Sequence, residues 1–244
     1  MSEPVAIAHE AIHETVESIL RNGPGGRLLD VPAGEGALAR RLARIGYEVS
    51  CADLYPEIFK ADEFEIKQAD LDSKLPYRDA SFDYLVCVEG LEHIENPANA
   101  IREFSRLVKT GGTLVVSVPN IMNIEERLKW LFTGYTSHFK PLSPQFLESV
   151  SRDYGGIEEV ALHVNAISYS EARYLLEQSG FELKSVHVDQ KKRNSWLFYP
   201  IVALIRLVSR FESESKRRER WTDELNSDEV LLGGNTLIFK AKKL

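Results

Sequence analysis

A chain of 244 residues with 43% hydrophobic and 27% charged residues can bury one sizeable core, and it has the composition of an ordinary soluble globular protein. Its formal charge of −7 argues against a general nucleic-acid binder, which needs a basic surplus to neutralise phosphates. The opening residues MSEPVAIAHE place an acid where a signal peptide has bases and lack a long apolar run, so a cytoplasmic protein is expected.

The first expected element is an amphipathic helix from about Val5 to Leu20, with Ile12, Val16, Ile19 and Leu20 at helical spacing and Gly23-Pro24-Gly25-Gly26 as its stop. A strand follows at Arg27 to Val31, then a glycine loop, a helix over Ala37 to Ile45, and a second strand from Tyr47 that ends on Asp53. Phe64 to Asp70 reads as a third strand. Phe82 to Glu89 is a nearly continuous apolar run, the pattern of a strand buried on both faces of a parallel sheet. Pro97 opens a helix that should run to about Lys109, with Gly111-Gly112 as its stop, and TLVVSVP is the fifth strand. Cys51 and Cys87 fall inside strand-like apolar runs, where reduced, structural cysteines are expected.

This alternation predicts one domain with a doubly wound, mostly parallel α/β sheet. After the leading helix (residues 1–22) and a core at 27–119, the strand rhythm stops over 120–169, where short helices are expected at Ile124 to Phe132 and Pro144 to Val150. A connection that long is expected to be a functional cover. Its aromatics Trp130, Phe132, Tyr135 and Phe139 are expected to shape an acceptor pocket. A helix at Ser170 to Gln178 and a strand at Phe181 to Val188 follow. An insertion occupies 190–234, and a last strand, NTLIFKAKK at 235–243, is expected to enter the sheet antiparallel.

The loop in LLDVPAGEGA poses the central question. Gly34, Gly36 and Ala39 satisfy the G-x-G-x-x-G/A spacing of a dinucleotide site, and Asp53 lies 19 residues beyond Gly34, where a ribose-binding acid belongs. Asp30 and Pro32 favour a different ligand. A diphosphate at a helix N-terminus needs free amides and positive potential, whereas a carboxylate at the strand tip repels it and a proline removes a donor. S-adenosylmethionine carries an ammonium and a sulfonium, so an acid there is favourable on Coulomb grounds. Asp53 would accept bonds from both ribose hydroxyls.

From these residues onward the chain resembles the class I S-adenosylmethionine-dependent methyltransferases. LLDVPAGEG resembles that family's first motif, CADL its second acidic strand end, QADLDSKLPYRDASFDYLVCVEGLEHIENP its third and fourth, and GFELKSVHVD with NTLIFKAKK its terminal hairpin. Pro32-Ala33 depart from the pattern, since many members have glycine or cysteine there. The resemblance implies a Rossmann-like sheet of seven strands with an antiparallel last strand and helices on both faces. It implies S-adenosylmethionine as cofactor and S-adenosylhomocysteine as product. The cofactor-binding residues expected are Asp30, Ala33, Gly34, Gly36, Asp53, Leu54, Asp70, Leu71, Val88 and Glu89. Asp70 and Leu71 would sit beside the adenine, and the end of the fourth strand would lie under the sulfonium.

Methyl transfer calls mainly for alignment and a dry, shaped site, with a base needed when the acceptor must lose a proton. His93, His138 and His163 are the candidates, and His93 and His138 rank ahead as catalytic residues. His9-Glu10-Ala11-Ile12-His13 spells the H-E-x-x-H of zinc proteases, but it lacks a third ligand and lies on a leading helix outside the sheet, so no metal site is expected. An amphipathic helix that folds over the cofactor mouth is the alternative use of that segment.

Lys191 to Trp221 holds nine Lys or Arg against three Glu around an apolar run of roughly thirteen residues, too short to span a bilayer. Packing on the domain or on a second subunit is the favoured reading. Peripheral contact with the inner face of the membrane through Trp196, Phe198 and Tyr199 is the alternative. The expected activity is O-methylation of a small molecule: a sugar, an envelope glycolipid or other lipid-linked acceptor, or a natural product. An NAD(P)-dependent oxidoreductase and a non-catalytic membrane-associated binding protein on this fold are the rival readings.

Overall fold

The computed structural model describes residues 3–154, 162–192 and 194–244. Its centre is a seven-stranded sheet in the order β3-β2-β1-β4-β5-β7-β6. The strands are β1 (Gly26–Asp30), β2 (Tyr47–Asp53), β3 (Ile66–Gln68), β4 (Phe82–Cys87), β5 (Val108–Pro119), β6 (Phe181–Val188) and β7 (Thr236–Lys243). Strands β1 to β5 pair in parallel, and β7 runs antiparallel to both β5 and β6. The expected Rossmann-like sheet with an antiparallel last strand is therefore what the chain adopts.

Alternation along the central strands sends successive side chains to opposite faces. Leu29, Leu85, Val116 and Phe239 join one core with Phe104 and Leu107 of α3 (Pro97–Leu107) and Leu176 of α6 (Tyr169–Gln178). Leu28, Val86, Val115 and Ile238 join the opposite core with Ile12, Val16 and Leu20 of α1 (Glu10–Leu20) and Leu38 and Leu42 of α2 (Ala37–Arg44). Phe82, Leu85, Val86 and Cys87 are fully buried, as the unbroken apolar run of β4 requires. Cys51 and Cys87 are buried free thiols.

Strand β3 is shorter than expected and the helix Pro144–Tyr154 longer, and three further boundaries differ for a local reason. Helix α1 starts at Glu10 rather than Val5, because His9 caps it, accepting from the Ala11 amide at 3.3 Å. The residues before it cross the glycine loop, where the Val5 amide donates to Glu35 Oε2 at 2.8 Å. Strand β5 begins at Val108, and α3 stops at Leu107. Val108 pairs with Phe82 and Thr113 with Tyr84, so Gly111-Gly112 lie in a bulge inside the strand and do not end the helix. Strand β4 ends at Cys87, because Glu89 turns away from the sheet with φ +48°.

Beyond the sheet, the 120–169 connection contains α4 (Ile124–Thr133) and α5 (Pro144–Tyr154). The later insertion holds α7 (Tyr199–Ser209), α8 (Glu214–Glu219), α9 (Thr222–Leu225) and α10 (Asp228–Leu231). Arg127 of α4 donates to the Leu225 carbonyl at 3.0 Å, and Glu125 pairs with Lys192, which joins the two insertions.

Candidate active site

The chain leaves β1 for β2 and β3, then crosses back to β4 on the other side of β1. That reversal opens a crevice at the carboxyl ends of the strands, the usual ligand position in doubly wound sheets. A cavity of about 990 Å³ lies there, in the size range of small-molecule sites. Asp30, Ala33, Gly34, Asp53, Leu54, Asp70, Leu71, Val88, Glu89 and His93 all line it.

Asp30 ends β1 only 1% exposed, and neither carboxylate oxygen has a hydrogen-bond partner among the described residues. Burial, with a smaller contribution from Asp53, pushes its carboxyl up to about 8. A buried carboxylate without a partner is costly, so this wall of the cavity suits a cationic group. Asp53 at the tip of β2 is 5% exposed and accepts from the Gly34 amide at 2.8 Å and the Tyr55 amide at 2.9 Å. Each of its oxygens keeps a further lone pair for a ligand.

The loop amides decide between a diphosphate and a cation. The Ala33 amide donates to the Ala52 carbonyl, the Gly36 amide to the Ala33 carbonyl and the Gly34 amide to Asp53. Three donors that a phosphate cradle would use are thus engaged inside the protein. Glu35 adds a carboxylate, held below its usual range chiefly by the Lys60 ammonium, which it meets at 2.5 Å. Gly36 does not line the cavity. A Cβ there would lie 2.5 Å from the Ala61 Cβ and 2.7 Å from Phe59 Cε2, so this glycine serves packing of the loop against the 59–61 segment. Pro32 is accommodated by Gly90 opposite, where a Cβ would come within 2.7 Å of the proline Cδ.

Asp70 is exposed and accepts from the Asp72 amide at 2.9 Å and the Ser73 hydroxyl at 3.0 Å, which shapes the loop that presents buried Leu71 to the cavity. Asp72 in turn accepts from the amides of Glu95 and Asn96, tying this loop to the start of α3. Glu89 accepts from the Ser117 hydroxyl at 3.1 Å, and burial raises its carboxyl above the ordinary range.

Three histidines gather at the far end. The His93 and His163 rings meet edge to face at 4.7 Å between centroids, and His138 stacks on His163 at 6.1 Å. His93 and His163 line the cavity; His138 stands behind His163 and does not. Burial pushes His163 down to about 4 and lowers His138 as well. The sequence ranked His138 ahead of His163, whereas of these two it is His163 that lines the cavity.

Glu92 does not line the cavity but shapes its wall, a role the sequence did not reveal. It is fully buried, and its backbone carbonyl accepts from the amides of Val164 (2.8 Å) and Asn165 (3.0 Å), which brings the 162–165 segment to the cavity wall. No spacing rule joins residues some seventy positions apart. The cover is also only partly as expected: α5 contributes Phe146, Ser149 and Val150, whereas Trp130 and Phe132 are 57% and 80% exposed on α4 and do not line the cavity. Tyr135 does not line it either, and Phe139 packs on His163 from outside the lining. Val5, Ile7 and His13 of the leading segment do line it. His9 caps the helix and His13 is 6% exposed, with burial pushing it down to about 4, and both line the cavity.

Comparison with known proteins agrees with this geometry. A family model described as a methyltransferase domain matches residues 6–186. A ubiquinone biosynthesis O-methyltransferase of Xanthomonas campestris pv. campestris is 37% identical over 109 residues, covering 40% of this chain and 44% of that protein. The corresponding protein of Psychrobacter arcticus is 29% identical over 177 residues, covering 64% of this chain and 68% of that one. The chain thus spans less than half the length of the Xanthomonas relative that it matches. An S-adenosylmethionine-dependent methyltransferase structure from Mesorhizobium loti shares the fold with a TM-score of 0.55 at 17% identity, over 96% of this chain and 98% of that one. With its glycine loop, its acidic strand tips and a family match that runs from the leading segment into β6, this chain belongs to the S-adenosylmethionine-dependent methyltransferase family.

Proposed function

We propose that the protein methylates a hydroxyl oxygen of a small molecule, with Asp30 the observation that carries the donor side of this reading. Bound S-adenosylmethionine supplies a methyl group on a positively charged sulfur, which passes to the acceptor oxygen while sulfur keeps the bonding electron pair. Asp30 would hold the ammonium end, Asp53 the ribose hydroxyls, and Leu54, Asp70 and Leu71 the adenine. Ala33, Gly34, Val88 and Glu89 would line the path between them. The leading segment and α5 exclude water from the cavity.

The acceptor would enter beside His93 and His163. A ring nitrogen there takes the hydroxyl proton, and His138 acts by holding the His163 ring. The names of the Xanthomonas and Psychrobacter relatives support oxygen as the methylated atom. A sugar, a glycolipid or a natural product fits a cavity of this size. Feeding isotopically labelled methyl donor to cells with and without the protein, followed by metabolite and lipid profiling, should reveal a labelled O-methyl product that appears only with the protein. A label found on nitrogen or carbon would contradict the oxygen assignment.

A lipid-linked acceptor is the second reading, favoured by α7. Val202 is its buried residue, while Leu204, Leu207 and Val208 are more than half exposed, together with neighbouring Trp196, Tyr199 and Phe211. Among the described residues no helix is long and apolar enough to cross a membrane. Lys192, Arg206, Arg217, Arg218 and Arg220 are engaged in ion pairs, so an apolar face rather than free basic charge would make the contact.

A further inference from the structure

We infer that the acceptor carries no phosphate or carboxylate group: the cavity accepts a hydroxyl compound that is uncharged or bears an amine. Among the described residues eight Asp or Glu line it and no Lys or Arg does. The inference deepens the proposed O-methylation and rests on it, because it names the class of molecule that brings the hydroxyl.

Most of this negative charge has no counter-charge in the protein. Glu35 is paired with the Lys60 ammonium, and Asp30, without a partner, is left for the ammonium of the donor. Asp53, Asp70 and Asp72 take amide and hydroxyl donors, which satisfy their oxygens without supplying a unit positive charge. Neither these three nor Glu89, Glu95 and Asp153 have a Lys or Arg ion pair among the described residues. Burial pushes His13 and His163 down to about 4, so both rings are neutral at physiological pH. Lys140 lies 5.9 Å from the centre of the Phe146 ring but does not line the cavity.

Bound S-adenosylmethionine adds one net positive charge, its ammonium and sulfonium against a single carboxylate, so the lining stays negative with the donor in place. Partly buried charges are screened little by salt, and a phosphate or carboxylate entering here meets like charge with no cation to pair with. What the cavity offers an acceptor instead is apolar surface. Helix α5 contributes Phe146, Ser149, Val150 and Asp153 at helical spacing, and Ile94, Leu162 and Val164, next in sequence to His93 and His163, join the lining. An uncharged ring or chain fills that surface without desolvating a charge.

The field can be read without any acceptor. Ser149→Cys places a thiol on the cavity wall, while the native Cys51 and Cys87 are buried. With S-adenosylmethionine bound, the rate of its modification by cationic trimethylammonioethyl methanethiosulfonate, divided by the rate with the anionic sulfonatoethyl reagent, should exceed the same ratio for N-acetylcysteine at least tenfold. Adding Asp153→Lys should lower the ratio at least threefold. A ratio no higher than that of N-acetylcysteine overturns the inference. The substrate class is read with the purified full chain, labelled S-adenosylmethionine and an extract of cells lacking the protein, split on an anion-exchange resin at neutral pH. At least tenfold more label should enter the unretained fraction than the retained one. Label chiefly in the retained fraction overturns the inference and leaves the O-methylation reading standing. Label in neither fraction refutes that reading, and this inference with it.

Discussion

The amide of Gly34 donates to Asp53 at 2.8 Å, so one carboxylate both faces the cavity and fastens the glycine loop to the second strand. Its other oxygen takes the Tyr55 amide at 2.9 Å. Asp53→Ala should therefore cost donor affinity twice, through the lost ribose contact and through a loosened loop. The expected loss is about 1 to 3 kcal/mol, the usual effect of unmet buried polar partners. Calorimetry with S-adenosylhomocysteine checks it, and an unchanged affinity would remove Asp53 from the site.

Asp30 makes donor binding depend on pH. In the free protein its carboxyl is raised to about 8, against about 4 in an unfolded chain, so the folded protein holds a proton that the unfolded chain has released. That contribution to stability is full below about pH 4 and is lost as pH climbs toward 8. A cationic ligand beside Asp30 favours the carboxylate, so binding expels the proton. Affinity for S-adenosylhomocysteine should rise between about pH 6 and 8, by at most tenfold per unit. In Asp30→Asn the affinity should be lower and the pH dependence flat; a wild-type affinity that falls over this interval would contradict the assignment.

Gly36 separates packing from ligand contact. With φ at +91° and Ala61 and Phe59 within 2.7 Å of a Cβ, Gly36→Ala should destabilise the fold by about 2 to 4 kcal/mol, from backbone strain and overpacking together. Thermal unfolding should show a fall in Tm of at least about 4 °C. Donor affinity, measured well below the new Tm, should change much less than in Asp53→Ala.

The exposed face of α7 predicts co-sedimentation with lipid vesicles. Because most of the nearby basic residues are paired, binding should persist at about 0.5 M salt, where charge-driven adsorption is screened away. Replacing Leu204 and Phe211 with serine should abolish it. A soluble, salt-insensitive dimer disrupted by the same substitutions would assign the face to a second copy instead.

Strand rhythm and acidic strand tips made the sheet and the Asp30–Asp53 wall of the cavity legible, because both depend on local patterns: alternation along β4, and Asp30 and Asp53 each at the end of an apolar run. Gly36 matched a motif but serves packing, which spacing alone cannot distinguish. The end lined by His93 and His163 was less legible. His163 reaches the cavity only because the Glu92 carbonyl captures the Val164 and Asn165 amides, a contact across distant sequence with no periodic signature. Trp130 and Phe132 misled for the converse reason, since aromatic residues in a connecting segment look alike whether they face a pocket or solvent.

Calorimetric titration of one protein sample with S-adenosylhomocysteine and, separately, with NAD⁺ tests the central claim most directly. The engaged loop amides and the unpartnered Asp30 carboxylate predict micromolar binding of the first and none of the second. Saturable binding of NAD⁺ with no binding of S-adenosylhomocysteine would contradict it.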